Sequence, residues 1–348
     1  MPGEFPTEPS KDVIREALNF IRDTGEPQNW PGHTHTSPPE NAIVVYLEEF
    51  DLPKARHKNR ELWARCPICS PEHGKYILSG KIAWFPDEGV IRLIGGDCYA
   101  TLVGQEQHEI ALADLRVRQR IARDEAFVAS QVPFVREHLP RLEAVIGYCR
   151  AVDTLRGRIP PRMGNALHSA LWRHVSIGGE LRITQAVKDI RLVDGREVER
   201  ETEQDVRYAG LAGHLILHPP PNVSVGDPVA AAVERIRELV GRESPLLDPG
   251  SPKDRSLAIR RLTGAWRVID DALRQARSLA AFVEVVNINT LRTWAALPDS
   301  PVTGYFAIRG GELIVGSDAR DTTAIPIPVE LLTEAPSLPS LSDRVDLE

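Results

Sequence analysis

Cysteine is scarce in this chain of 348 residues, four in all, and methionine occurs only twice. Aromatic residues make up 6%, and arginine outnumbers lysine 35 to 7, a bias that hints at a GC-rich bacterial genome. No apolar run approaches the ~20 residues that span a bilayer. The opening Met1-Pro2-Gly3-Glu4 lacks the basic start and apolar stretch of a secretory signal. The expectation is therefore a cytoplasmic protein without a membrane partner, in a compartment where thiols stay reduced. Familiar catalytic fingerprints are missing as well. There is no GxxxxGK[ST], HExxH or GxSxG, and Gly210-x-x-Gly213 lacks the rest of a dinucleotide-binding loop.

What is present suits two or three modules with real cores: 42% hydrophobic residues, 26% charged, net charge -7. The charge is uneven. Seven acids against Arg320 and Arg344 give the stretch from Ser317 to Glu348 a charge of -5 (2 minus 7), so the body is close to neutral and offers no overall basic field for nucleic acid.

Three of the four cysteines fall in one stretch. Cys66-Pro67-Ile68-Cys69 places two thiolates on one tight turn, with Pro67 fixing φ, and Gly95-Gly96-Asp97-Cys98 returns a third after 28 residues. Between them, Tyr76-Leu78, Ile82-Phe85 and Val90-Ile94 read as short strands, separated by Ser79-Gly80 and by Pro86-Asp87-Glu88-Gly89. Tetrahedral zinc needs a fourth ligand, and position 101 is Thr, so no second CxxC supplies it. His108 is preferred. It lies about 15 Å beyond Cys98 if the helix is continuous, so it reaches the metal only if Val103-Gly104 breaks the chain. His73, in Cys-x2-Cys-x3-His, is the alternative. Reduced thiols in a loop, with no metal, remain the competing account.

In its CPxC, intervening hairpin and GxxC-type return, residues 63–108 resemble the zinc-ribbon or zinc-knuckle class, which implies one structural Zn2+ held by Cys66, Cys69, Cys98 and His108 (or His73). The likeness covers a small part of the chain and implies no activity.

Elsewhere, residues 10–22 read as an amphipathic helix capped by Ser10, with Val13, Ile14, Ala17, Leu18 and Ile21 on one face. Residues 23–39 read as a linker whose His33-x-His35 is expected to be solvated, and Ser37-Pro38-Pro39-Glu40 as the start of a second helix through Ala42, Val45, Tyr46 and Phe50. Two apolar seams step by threes and fours: Val128, Val132, Val135, Leu139, Leu142, Ile146 and Cys149, then Leu262, Trp266, Ile269, Leu273, Ala276, Ala280 and Val283. They would bury one another as an antiparallel pair, or drive self-association; Pro133 and Pro140 should break or kink the first. Val175-Ile177 and Leu181-Ile183 flank Gly178-Gly179 as a hairpin, Asp194-Gly195 marks another turn, residues 197–205 a charged loop or edge, and residues 211–217 a strand. Tyr305-Val315 repeats the Gly-Gly-Glu-Leu texture without implying duplication.

The expected organisation is α+β and multi-module. It comprises N-terminal helices and a Pro-rich linker (1–53), a zinc-ribbon-like β module (54–108) and a first long helix (109–157). A small α+β insertion (158–225) sits at the tip of a coiled-coil-like helical hairpin that returns through 226–284, followed by a C-terminal helix and β-hairpin (285–329) and an acidic, disordered tail (330–348). Three functions compete. One is a zinc-stabilised scaffold for an unknown protein partner. The second is a nucleic-acid-binding protein using Lys54, Arg56, Lys58, Arg60, Trp63 and Arg65 beside the zinc module. The third is a zinc enzyme with an open three-thiolate site and His73 or Glu72 as base.

Overall fold

The computed structural model describes residues 4–40, 42–59, 64–66, 76–95, 98, 100, 104–193, 196–219, 223–241, 244, 246 and 252–341. It divides into two compact units, residues 1–125 and 126–348.

In the first unit, helix α1 (Lys11–Thr24) starts where Ser10 Oγ accepts the Val13 amide hydrogen and stops at Gly25, whose φ of 65° permits the left-handed cap that a side chain would resist. Ala17 and Ile21 bury its apolar face. Strand β1 (Val45–Asp51) corrects the second expected helix. Val44, Val45 and Tyr46 are β-branched or aromatic, and a bulge between Tyr46 and Glu48 breaks the alternation that would have identified a strand. A short pair, β2 (Ala64–Arg65) with β3 (Tyr76–Ile77), precedes β4 (Ser79–Phe85) and β5 (Val90–Gly95). The main sheet runs β1-β4-β5, all antiparallel, with Ile82, Ala83, Phe85, Ile91 and Ile94 fully buried. Gly89 (φ 65°) closes the β4-β5 turn. The expected linker is instead packed down: Trp30 is buried, and Thr34 N–H donates to the Ile91 carbonyl (2.8 Å), laying residues 33–34 along the edge of β5.

Helix α2 (Gln105–Met163) begins after Gly104, which has φ 95°. It passes Pro133 and Pro140 without interruption. Each proline removes one intrahelical bond, at about 3 kcal/mol or more, but Val132, Val135, Leu142 and Val145 on either side are buried in one core that holds the helix together.

That core organises the second unit. Both predicted seams lie inside it, Cys149 included, but so do residues of α3 (Asn165–Val175), α4 (Gly226–Val240), α5 (Pro252–Ala280) and α6 (Val285–Ala295). The coiled-coil-like hairpin is therefore corrected to a many-sided helical core, and both seams are consumed within the chain. At the start of helix α4, Ser224 Oγ accepts the Asp227 amide (3.0 Å), and Asp153 from α2 reaches across to accept the amides of Val225 (2.9 Å) and Gly226 (2.8 Å) and the hydroxyl of Ser224 (2.8 Å).

Residues 175–177 end a helix and form no strand, and Gly178-Gly179, both at positive φ, turn the chain out of it. The hairpin lies further on. Strands β6 (Glu180–Val193) and β7 (Arg196–Gly210) pair from Glu180↔Gly210 to Val193↔Arg196, a ribbon roughly 45 Å long at about 3.3 Å per residue. The charged run at 197–205 is thus strand, and the expected strand at 211–217 is a single 3-10 turn, His214–Leu217. At the C-terminal end, β8 (Tyr305–Arg309) and β9 (Glu312–Gly316) meet at Gly310-Gly311, both at positive φ as a two-residue hairpin turn requires. A third strand, β10 (Thr322–Pro326), extends the expected hairpin to a three-stranded sheet. Of the stretch expected to be disordered (330–348), residues up to 341 lie against the core, with Leu331, Ala335, Leu338 and Leu341 packed there and Trp266 Nε1–H donating to the Pro339 carbonyl (3.2 Å), while 342–348 lie outside the described residues.

Among the described residues, no helix is long and apolar enough to cross a membrane.

Candidate metal centre

Hairpin β2-β3 brackets the first cysteine pair: Ala64 pairs with Ile77 and Arg65 with Tyr76, so Cys66 leaves the end of β2 and the chain is back in register ten residues later. Cys66 is fully buried, and its Sγ accepts the amide hydrogen of Gly95 at 3.3 Å. Gly95 ends β5, three residues before Cys98. The hydrogen bond therefore carries the return strand to the first cysteine. Cys98 is half-buried against the same apolar cluster as Cys66.

His108 sits in the first turn of α2, 3% exposed, with Nδ1 2.8 Å from the Tyr46 hydroxyl on β1. The break at Gly104 on which its candidacy depended is present. Tyr46 was not visible as a site residue in the sequence, because it belonged to a stretch read as helix. Cys69 and His73 lie outside the described residues, as do Arg60 and Trp63. Among the described residues, no three His, Cys, Asp or Glu side chains form a group able to hold a metal ion.

The basic segment is partly spent on structure. Arg56 donates to the Thr24 carbonyl (2.7 Å), pairs with Glu26 (3.2 Å) and covers Gly25 closely. Lys81 is buried, 3.9 Å from Glu49 and 5.5 Å from the centre of the Tyr46 ring. Arg92, also buried, makes a two-pronged pair with Glu88 (2.8 Å on each prong) and donates to the Thr36 carbonyl (2.7 Å). Lys54 and Lys58 are exposed, and Arg65 is part of β2.

The histidine pair of the N-terminal loop corrects its expected solvation. His33 Nδ1 accepts the Leu93 amide hydrogen (3.1 Å), which places the neutral ring's proton on Nε2, 2.9 Å from His35 Nδ1. Both nitrogens of His33 are committed, so it presents no lone pair to a metal. Burial, helped by His35 and Arg92, pushes its pKa down to about 3. Cys149 is a core thiol, held up at about 12 by burial, with a smaller contribution from Asp153.

Comparison with protein-family models, with curated proteins and with solved structures found no match to this chain.

Proposed function

We propose that the chain is a scaffold protein whose first unit is braced by one structural zinc ion, held by Cys66, Cys69, Cys98 and a histidine, and whose second unit presents the β6-β7 ribbon to a protein partner. The zinc part is carried by the bond from Gly95 to Cys66. It joins two segments that are 29 residues apart at a buried sulfur, three residues before Cys98. The β2-β3 pair, with two residues to a strand, gains most from such a brace. The ribbon supports the partner reading, since none of its described side chains between Arg182 and Gly210 is buried, and a two-stranded ribbon alone is marginal in water. Nucleic-acid binding is less well supported, because Arg56, Lys81 and Arg92 already pair with carboxylates.

Metal analysis of the purified full chain tests the zinc part. One zinc per chain is expected, lost in Cys66→Ser and in Cys98→Ser; a wild-type chain that takes up no zinc after reduction and reconstitution would overturn it.

A further inference from the structure

We propose that the groove between strand β1 and helix α2 is a docking site for an extended peptide of another protein. The peptide is taken up as a short added strand beside β1, with an aliphatic side chain in the groove and a lysine or arginine at Asp114. Neither the zinc ion nor the ribbon enters into this. β1 stands at one edge of the β1-β4-β5 sheet, so its far side carries no strand of that sheet. Along that side runs a cavity of about 320 Å³, walled by Val44, Val45 and Tyr46 on the strand side and by Ala111, Asp114 and Val117 on the helix. A groove between an edge strand and a helix lets a peptide take main-chain bonds from the one and side-chain contacts from the other.

The main chain, the apolar surface and the charge all suit such an occupant. Tyr46 turns its carbonyl away from β4, toward Arg118 of α2, and in an antiparallel pair every second residue faces away from its partner strand. Val44, two residues earlier, therefore offers its N–H and C=O on the groove side, and among the described residues neither has a hydrogen-bond partner. One such residue is enough for the two-bond ring by which antiparallel strands pair. Arg118, seated at the Tyr46 carbonyl, stops the added strand from running further along β1. Among the described residues of the first unit, the large hydrophobic side chains left exposed are Ile43, Ile110 and Val117. All three adjoin the groove: Ile43 precedes Val44, and residues 110, 114 and 117 share one face of α2. Arg118 is spent on Glu8 (3.0 Å) and Tyr46, whereas the exposed Asp114 has no ion-pair partner among the described residues. An unmatched negative charge beside aliphatic surface is complementary to a strand that alternates aliphatic and basic residues.

The test pans a phage-displayed library of random heptapeptides on the full chain, then follows the enriched peptides, made synthetically, by fluorescence anisotropy and amide hydrogen exchange. The enriched peptides are expected to alternate Lys or Arg with Val, Ile or Leu and to slow exchange of the Val44 amide. They should bind several-fold more weakly to Asp114→Asn, by a margin that shrinks in high salt. Val117→Lys, a change at an exposed position that leaves the fold intact, is expected to abolish binding. No enrichment, or peptides indifferent to Val117→Lys, would overturn the groove as a peptide site. Peptides that bind there without slowing Val44 would overturn the added strand, as would a Val44 amide already slow to exchange in the free chain. Enriched peptides without a basic residue would overturn the role of Asp114. A dimer in sedimentation that Val117→Lys breaks, with no peptide enriched, would give the groove to a second copy and overturn the peptide.

Discussion

His33 makes the first unit sensitive to mild acid, and the size of the effect follows from its surroundings. The folded chain holds this imidazole neutral down to about pH 3, chiefly through burial and then through His35 and Arg92. The unfolded chain takes up the proton near 6.5. The group's folded pKa is depressed, so as pH falls below 6.5 the unfolded state gains a proton that the folded state refuses. Stability is full above 6.5 and is withdrawn on the acid side. At pH 5 the loss is RT ln(1 + 10^1.5), about 2 kcal/mol. That figure depends almost entirely on the unfolded value, since at pH 5 the folded ring is still neutral. His33→Gln preserves the contacts without the charge: its amide oxygen can accept from Leu93 N–H and its NH2 can donate to His35. Urea unfolding of both proteins, monitored from pH 8 to pH 5, should show the wild type losing about 2 kcal/mol more than the variant. Other titrating groups act on both chains alike and cancel in the difference. A difference that stays flat over this range would refute the account of His33 as a buried neutral ring.

Asp153→Ala should cost about 2–3 kcal/mol in thermal or urea unfolding, because it strands three donors at the start of α4; Asp153→Asn, keeping one acceptor oxygen, should cost less than half of that. At Gly80, an added methyl would stand 2.2 Å from the Ile94 carbonyl oxygen and 2.7 Å from the Phe50 ring, so Gly80→Ala should destabilise the first unit by about 1–3 kcal/mol, read by the same titration. Cys149 should resist alkylation by iodoacetamide at pH 8 in the native chain and react on unfolding, as mass spectrometry would show. Replacing residues 186–203 by an Asn-Gly turn keeps the Gln185↔Gln204 register and should leave the melting of the second unit, followed by circular dichroism, unchanged.

Strands that alternate cleanly or carry aromatic and β-branched runs, such as Ile82-Phe85 and Val90-Ile94, were legible from sequence, as were α1 with its Ser10 cap and the two apolar seams. Misreadings came where tertiary pairing overrode local pattern. Tyr46 and Leu47 are both buried only because a bulge lets two neighbours face inward, and that disguised β1 as a helix. The ribbon was hidden for the opposite reason. Its outer strand is so charged that it lacks the apolar face that usually marks a strand, and only the Asp-Gly turn betrayed it. Proline and acid made the C-terminal stretch look loose, yet its carbonyls meet Trp266 and Arg277, partners fixed far earlier in the chain. At the candidate metal centre, the cysteine spacing was visible, but the hydroxyl beside His108 was not, since a contact across 62 residues leaves no local trace.

A two-stranded ribbon has two borders, where amides and carbonyls that the sister strand does not take could be continued by a copy of the same molecule into a fibre; near the base of β6 some are already taken, the Arg182 carbonyl by Trp294 Nε1–H (2.8 Å) and the Thr184 amide by the Asp299 carbonyl (3.2 Å). On β7, Glu201, Glu203 and Asp205 are exposed at every second place and so share one face of the ribbon, Asp205 accepting the Thr184 hydroxyl across it (2.9 Å). Laying two such borders together would set like charges about 5 Å apart, again and again along their length. Those carboxylates thereby disfavour pairing of β7 with its counterpart in a second copy.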